Sequence, residues 1–517
     1  MAETIVNPRF VDIKRMNLLR EKIIQFDTNY KTLAKAIRLM ALFVFSARFL
    51  LIFSLWTSPF YKNWYGCDAS FFTMAGRGIA RAGWVPYRDF FDLKGPYFFF
   101  IEALSQTVVT GRTGAFILQI FALFFAILFM IKTCRLFVST KKTTFIVALI
   151  LTFYASTLWG GNTLEEFMLP LLFLSMYLIL RDLSKDESIR SSSALITGIC
   201  FGIMVFAKIT VAAPIAGIVL AVIICWIKDR RFPELLIFLL YSFLGILIAA
   251  TPIFIYFYYH GMLSEMLYAV FIFAFKRGTD FGTKFNIRWE LKISGCYFAI
   301  IFALCQLKNK RIKSALDNFM LTAIICTGIL TAFVFHFGDP FIYYFTTAYP
   351  ILMLTFVCMF ILYDPFVLFR SWRLDVPVIA FFIVLVYFGG HVANQLNTVL
   401  FDRGNSYYQE YVDYANEMAS LIPDCDKDDV YSLNMDMQWF ECNQILPCYS
   451  YTINLQFFVA LDQRIEDNII NKLKNDPPKW IVCGGDISSY LPNIADVIFS
   501  EYTNVYENPY GALYLLD

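Results

Sequence analysis

Residues 58–112 separate the first two long apolar runs of the chain and carry residue types able to do acid–base and anion chemistry. The segment reads Trp64-Tyr65-Gly66-Cys67-Asp68-Ala69-Ser70-Phe71-Phe72, then Gly83-Trp84-Val85-Pro86-Tyr87-Arg88-Asp89-Phe90-Phe91-Asp92-Leu93-Lys94-Gly95-Pro96. The carboxylates Asp68, Asp89 and Asp92 are interleaved with Arg88, Lys94 and many aromatics. A fixed carboxylate can take a proton from a hydroxyl, and a cation at a bilayer surface attracts a phosphate. Connections this long are usually functional or disordered. This composition suits an ordered interfacial site whose apolar side meets lipid and whose polar side meets a sugar and a phosphate. Phe71, Met74, Ala75, Gly78 and Ile79 recur at helical spacing, which predicts a surface helix over 70–81 with Asp68 in its first turn. An ordinary helix cap is the competing reading of Asp68. Tyr97–Val109 is apolar but short for a crossing and contains Glu102 and Gln106, so it reads as a half-immersed or re-entrant helix. Lys94 and Gly95 stand at its start, where a cation and backbone N–H groups could meet a phosphate. There the competing reading is an aromatic belt whose charges merely reach water.

A second acidic element, Gly160-Gly161-Asn162-Thr163-Leu164-Glu165-Glu166, looks like one helix end followed by the cap and first turn of the next. Capping explains one acid. Two acids beside apolar surface point to a substrate-facing role for one of them, and Glu165 is favoured. Lys208 interrupts an apolar stretch, either as a ligand for an anion or as a snorkelling side chain. Arg277 and Lys284 form a basic patch suited to anionic lipid or a phosphate leaving group. His336, Asp339 and the Tyr343-Tyr344 pair stand at a helix end as further substrate-binding candidates, although a lone histidine is more often structural.

These residues must be positioned by membrane helices. The 517-residue chain is 58% hydrophobic and 16% charged, against about 45–50% and 25% in soluble proteins. Runs long enough to span begin near Ile37, Thr113, Thr144, Leu164, Ala194, Val211, Pro233, Glu290, Ala315, Phe341 and Asp375, about eleven in all. With the N-terminus cytoplasmic, the inside connections hold Lys132, Arg135, Lys141 and Lys142; Arg181, Lys185 and Arg190; Lys228, Arg230 and Arg231; Lys308, Lys310, Arg311 and Lys313; and Arg370 and Arg373, as the positive-inside rule expects. That parity places the 58–112 loop and the C-terminus outside. The first 36 residues are polar, and the Ile37–Thr57 run is too long for a signal peptide and lacks a cleavage site. The net charge of +2 favours neither nucleic acid nor another polyanion. The expected organisation is a cytoplasmic segment 1–36, a transmembrane catalytic domain 37–392, and a small α/β domain 393–517 on the outer face. In that last domain Asp429–Leu433, Trp480–Cys483 and Ala512–Leu516 read as buried strands, and Gln409–Ser420 and Ile465–Leu473 as amphipathic helices. Cys442 and Cys448 either pair across Pro447 or stay free and packed, and no Cys/His spacing of a structural zinc site is present.

The run from Asp68 through Gly95-Pro96 resembles the first outer loop of bacterial membrane glycosyltransferases of the type-C superfamily. It is most similar to the branch related to protein O-mannosyltransferases and the lipid A aminoarabinose transferase. Gly161–Glu166 and Phe341-Ile342-Tyr343-Tyr344-Phe345 resemble a second and a third element of that branch, although the histidine often beside the tyrosine in the third is absent here. The resemblance covers residues 37–392. It implies an all-α polytopic fold with interfacial helices in the first outer loop. It also implies transfer of a sugar from a polyprenyl phosphate or diphosphate, with inversion, to an extracytoplasmic glycan, lipid or protein acceptor. By that analogy Asp68 matches the acidic residue that acts as general base or orients the acceptor. Lys94 matches the lipid-proximal basic position, and Asp89 and Asp92 belong to the same motif. Trp64, Tyr65 and Trp84 are expected to shape the sugar and acceptor cavity, Arg88 and Glu166 to help bind substrate, and Lys208 or Arg277 to assist Lys94. Glu165 completes the catalytic candidates. The expected partners are a polyprenyl-phosphate-linked sugar, the acceptor and membrane lipids. No essential metal is expected, the alternative being magnesium or manganese on the acidic loop. The competing functions are a lipid-linked saccharide flippase, which would place polar groups near the midplane, a polysaccharide polymerase or ligase, and a wall-binding scaffold.

Overall fold

The structure is a computed structural model that describes residues 32–158, 160–186, 188–281, 287–308, 314–336, 341–362, 392–393, 397 and 406–517. It forms two compact units, Met1–Phe49 and Leu50–Asp517. In the first, the described residues are helical and belong to α1, Thr32–Phe53.

The second unit holds α2 (Cys67–Arg77) and α3 (Pro96–Val108) in the long loop. The helices α4 (Arg112–Cys134), α5 (Thr140–Thr157), α6 (Leu164–Asp186), α7 (Ser191–Val205), α8 (Ala213–Lys228) and α9 (Phe232–Tyr259) follow. Next come α10 (Leu263–Leu267), a π-helical turn Tyr268–Phe273, α11 (Ala274–Phe281), α12 (Ile287–Lys308), α13 (Ala315–Phe335) and α14 (Tyr349–Leu362). Among the described residues seven helices are long and apolar enough to cross a bilayer: Thr32–Phe53, Arg112–Cys134, Leu164–Lys185, Ile209–Lys228, Phe232–Tyr259, Ala315–Phe335 and Ile342–Leu362. The spans expected near Thr144, Ala194 and Glu290 fall on α5, α7 and α12, which are shorter or more polar. The span expected near Asp375 lies outside the described residues, as do Lys284 and Asp339.

The direction of each helix sorts the charges by end. α4 starts at Arg112, which donates to the carbonyls of Trp56, Tyr61 and Trp64. α5 ends where Thr157 hydrogen-bonds Tyr349 at the start of α14, and the first turn of α6 holds Glu165, paired with Lys208 beyond the end of α7. Lys132, Arg135, Lys141, Lys142, Arg181, Lys185 and Lys228 therefore share the opposite ends. There Lys142 Nζ donates to Phe360 O near the end of α14, and the buried Asp182 carboxylate takes Arg181 and Ser193.

At the C-terminus a four-stranded sheet has the order β1-β2-β4-β3, from β1 (Val430–Leu433), β2 (Trp480–Cys483), β3 (Tyr502–Asn508) and β4 (Gly511–Leu516). β1 and β2 are parallel, with Val430 opposite Trp480, and β4 is antiparallel to both neighbours. The three expected strands are present as β1, β2 and β4, and the two expected helices as Ser406–Ser420 and Arg464–Asn475. β3 was not expected, because as an edge strand most of its side chains are exposed and polar. Cys442 and Cys448 are both free.

Candidate functional site

Lys94 reaches its place because the loop closes against the end of α7. Gly95 N–H donates to Ala207 O at 2.6 Å and Tyr97 N–H to Phe206 O at 3.3 Å. A Cβ on Gly95 would lie 2.1 Å from Phe206 O, so only glycine permits this approach. The Gly95 N–H is thus spent on the protein and not offered to a phosphate. Pro96 opens α3 at a position where its missing N–H costs nothing. Asp92 accepts the Lys94 backbone N–H at 2.9 Å and stands 3.5 Å from Lys94 Nζ, which also lies 4.4 Å from the Phe72 ring centroid.

Gly160 and Gly161 take φ of +90° and +93°, a turn an L side chain resists, and the chain then enters α6 through Thr163. The adjacent acids diverge there. Glu166 turns inward and accepts from Thr163 N–H and Oγ1 at 3.0 Å, Gln119 Nε2 at 2.7 Å and Tyr154 OH at 3.2 Å. The Glu166 carboxylate thus makes the reach-back half of a capping box, while the Glu166 N–H goes to the Thr163 carbonyl at 3.2 Å. Glu165 turns the other way and meets Lys208 Nζ at 2.8 Å. Lys208 sits in the break between α7 and the 3₁₀ turn Ile209–Ala212, with its ammonium 3.5 Å from the Tyr344 ring centroid.

Lys94, Glu165, Lys208, Arg277 and Tyr344 all line one cavity of about 520 Å³. Apart from Thr210 and Thr347, its remaining lining is largely apolar and includes Phe271, Phe275, Val334 and Phe333. Phe275 and Phe333 are 69% and 59% exposed, on helices that would otherwise face lipid. Three cations and a carboxylate therefore line a chamber whose lining is otherwise largely apolar. That geometry can hold an amphiphile with an anionic head.

Asp68 does not line this cavity. It sits half-buried at the second position of α2, with Tyr343 OH 3.5 Å from its Oδ2. Tyr343 in turn packs edge-on against Tyr344, centroids 4.7 Å apart. The tyrosine pair thus stands between the carboxylate and the cation cluster. A second carboxylate, Asp436 of the C-terminal domain, caps the helix Met437–Asn443 beside it, accepting from Gln438 N–H at 2.9 Å. Burial pushes the Asp436 pKa up, and burial together with Asp436 and Asp68 holds the Cys67 thiol well above its usual range and so protonated.

Other expected site residues serve the loop itself. Asp89 accepts Val85 N–H at 2.6 Å and pairs with Arg88 at 2.8 Å. Trp84 packs on Phe90, Trp64 stacks on Tyr408 at 4.7 Å, and Tyr65 lies beneath Arg112 at 4.1 Å. His336 ends α13, its Nδ1 2.7 Å from Ala332 O, and does not line the cavity. Among the described residues no group of three or more His, Cys, Asp and Glu side chains is arranged to hold a metal ion.

Two features were not singled out by sequence. Arg77 at the end of α2 forms a buried ion pair with Glu441 at 2.6 Å and donates to Gln444 at 3.1 Å, tying the Asp68 helix to the C-terminal domain. Glu102 of α3 is fully buried, and its one polar neighbour of consequence is the buried Asn162, which favours the ionised form without offsetting burial. Burial, with Glu441 and Glu166 adding like charge, pushes its pKa up to about 8.

No protein-family model matches the chain, and no curated protein matches it. Among solved structures, ArnT from Cupriavidus metallidurans bound to undecaprenyl phosphate superimposes with a TM-score of 0.63 at 14% identity, over 92% of this chain and 97% of that one. The same protein in the apo state gives 0.47 at 14% identity, over 93% and 98%. The oligosaccharyltransferase AglB from Archaeoglobus fulgidus, in complex with an inhibitory peptide and a dolichol-phosphate, gives 0.46 at 13%, over 93% and 74%. The first of these likenesses shows the fold: this chain is a polytopic membrane protein built like ArnT across nearly its whole length.

Proposed function

We propose that the protein is a type-C glycosyltransferase that takes a sugar from a polyprenyl phosphate and passes it to an acceptor on the non-cytoplasmic face. The observation that carries this reading is the convergence of Lys94, Lys208 and Arg277 on a cavity with a lipid-facing apolar wall. A prenyl phosphate has the matching parts, an anionic head and a hydrocarbon tail. The fold shared with a protein crystallised with undecaprenyl phosphate supports the same ligand class. The clustering of Lys and Arg at the span ends opposite the cavity favours an outer location by the positive-inside rule.

In the proposed reaction the acceptor hydroxyl oxygen bonds to the anomeric carbon as the bond from that carbon to the phosphate oxygen breaks. The electron pair leaves with the phosphate, whose growing charge is met by Lys94, Lys208 and Arg277. The hydroxyl proton passes to Asp68, directly or through one water, and attack opposite the leaving group inverts the centre. Tyr343 orients Asp68, and Asp92 holds Lys94 in place. The purified protein in proteoliposomes, offered a panel of undecaprenyl-phosphate-linked hexoses and pentoses together with a cell-envelope fraction as the source of acceptor, should release undecaprenyl phosphate from at least one of them. Lys94→Ala should raise the lipid-donor concentration that this requires. An inert panel together with no affinity for undecaprenyl phosphate would contradict the reading.

A further inference from the structure

One wall of the cavity is the segment 270–278, supplying Val270, Phe271, Ala274, Phe275, Arg277 and Gly278. It begins inside the π-turn Tyr268–Phe273, a distortion frequent at functional sites. The membrane helices do not hold this wall alone. The C-terminal domain grips it through the short helix Leu455–Leu461 and the residues after it. Tyr268 donates its hydroxyl hydrogen to Asp462. The same carboxylate is held by Arg464 through Nε at 2.9 Å and Nη2 at 2.6 Å, and the Arg464 guanidinium lies 4.9 Å from the Tyr268 ring centroid. Arg464 keeps Asp462 well below the usual carboxylate range, so this clasp stays charged at neutral pH. Phe273 meets Phe458 edge-on at 5.6 Å, and Phe91 of the first loop joins both rings. Arg277 lies 4.5 Å from the ring centroid of Phe457.

Resting on the reading of the cavity as a lipid-phosphate site, we propose that Phe457 is a positioning residue for the donor, its ring holding the Arg277 guanidinium at the cavity wall. The C-terminal domain then sets affinity for the lipid phosphate without touching it. A guanidinium on a long flexible stem gains little from a phosphate if it must first be ordered; a ring that pre-orders it removes that cost. Leucine keeps apolar bulk at this position but has no π face, whereas tryptophan keeps both.

The test is the affinity of the intact protein in nanodiscs for undecaprenyl phosphate, with neutral undecaprenol as control. A lost cation–π contact corresponds to about two- to thirtyfold in affinity. We expect Phe457→Leu to weaken undecaprenyl phosphate binding about three- to tenfold, to leave undecaprenol binding unchanged, and to cost nothing further in an Arg277→Ala background. Phe457→Trp should bind as the parent does. Parental affinity in Phe457→Leu, equal losses for both lipids, or a full penalty without Arg277 would each overturn the proposal. Should Phe457→Leu be silent while Lys94→Ala still weakens phosphate binding, the positioning role falls and the donor-site reading stands. Silence in Lys94→Ala and Arg277→Ala together removes the site itself and this proposal with it.

Discussion

Lys208→Met, measured alone and with Glu165→Gln, separates two roles that adjacent charges can play. In the protein Lys208 Nζ meets Glu165 Oε1 at 2.8 Å, and both side chains face the cavity. If Lys208 binds the donor phosphate, its loss removes a charge-assisted hydrogen bond worth about 1.5–3 kcal/mol, roughly ten- to a hundredfold in affinity. It also leaves the Glu165 carboxylate, only 2% exposed, facing the incoming anion without its cation. Both effects act in one direction. Glu165→Gln does the reverse: it frees Lys208 from a competing carboxylate, so undecaprenyl phosphate should bind as tightly as before or a few-fold tighter. In the double variant the cation and its counter-charge leave together, and part of the Lys208→Met loss should return as a coupling of about 1 kcal/mol. The assay is equilibrium binding of undecaprenyl phosphate in nanodiscs, with monodispersity checked for each variant. Parental affinity in Lys208→Met refutes the reasoning. A Glu165→Gln protein that binds normally but has lost turnover would move Glu165 from supporting Lys208 to the chemistry itself.

With the donor found by the panel, Asp68→Asn should lower kcat by about 10²–10⁴ while undecaprenyl phosphate affinity holds, as loss of a general base does; near-parental kcat removes Asp68 from that role. Arg77→Met strands the buried Glu441 and should cost about 3–5 kcal/mol, seen as a lower midpoint of thermal inactivation and largely recovered by Arg77→Met/Glu441→Met. Glu102 should make stability fall as pH rises. Between about pH 4.5 and about 8 the folded chain keeps the Glu102 proton that the unfolded chain has lost. The loss is complete above that window, and Glu102→Gln should flatten the slope and raise the midpoint at pH 8.

The Asp68–Lys94 segment was legible because its chemistry is local: a carboxylate in a first helical turn, and a cation just before a proline that starts a helix. Of the adjacent acids, Glu165 was favoured as the substrate-facing one, and it is the one that lines the cavity, although the sequence pattern marks both alike. Neighbours on a helix point about 100° apart, and which one faces the cavity depends on Gln119 and Tyr154, supplied by other helices. Asp89 and Arg88 carry the right residue types but satisfy each other and Val85 N–H, an outcome fixed by the Tyr87 turn at φ +68°. Arg77–Glu441 joins residues 364 positions apart, and no local pattern announces a pair at that separation. Arg277 was marked by sequence as a phosphate-binding candidate, but Phe457 was ordinary, since their meeting depends on how the C-terminal domain lies on the π-turn. The spans were read from hydropathy because lipid forces every backbone group into a helix. The edge strand β3 escaped because half its pattern faces water.

The account stands on where the lipid phosphate binds. A cryo-EM structure of the protein in nanodiscs with undecaprenyl phosphate should show the phosphate within about 4 Å of the Lys94, Lys208 and Arg277 nitrogens, with the prenyl chain leaving past Phe275 and Phe333. A phosphate bound elsewhere on the protein, with this cavity filled only by bulk lipid chains, would contradict it.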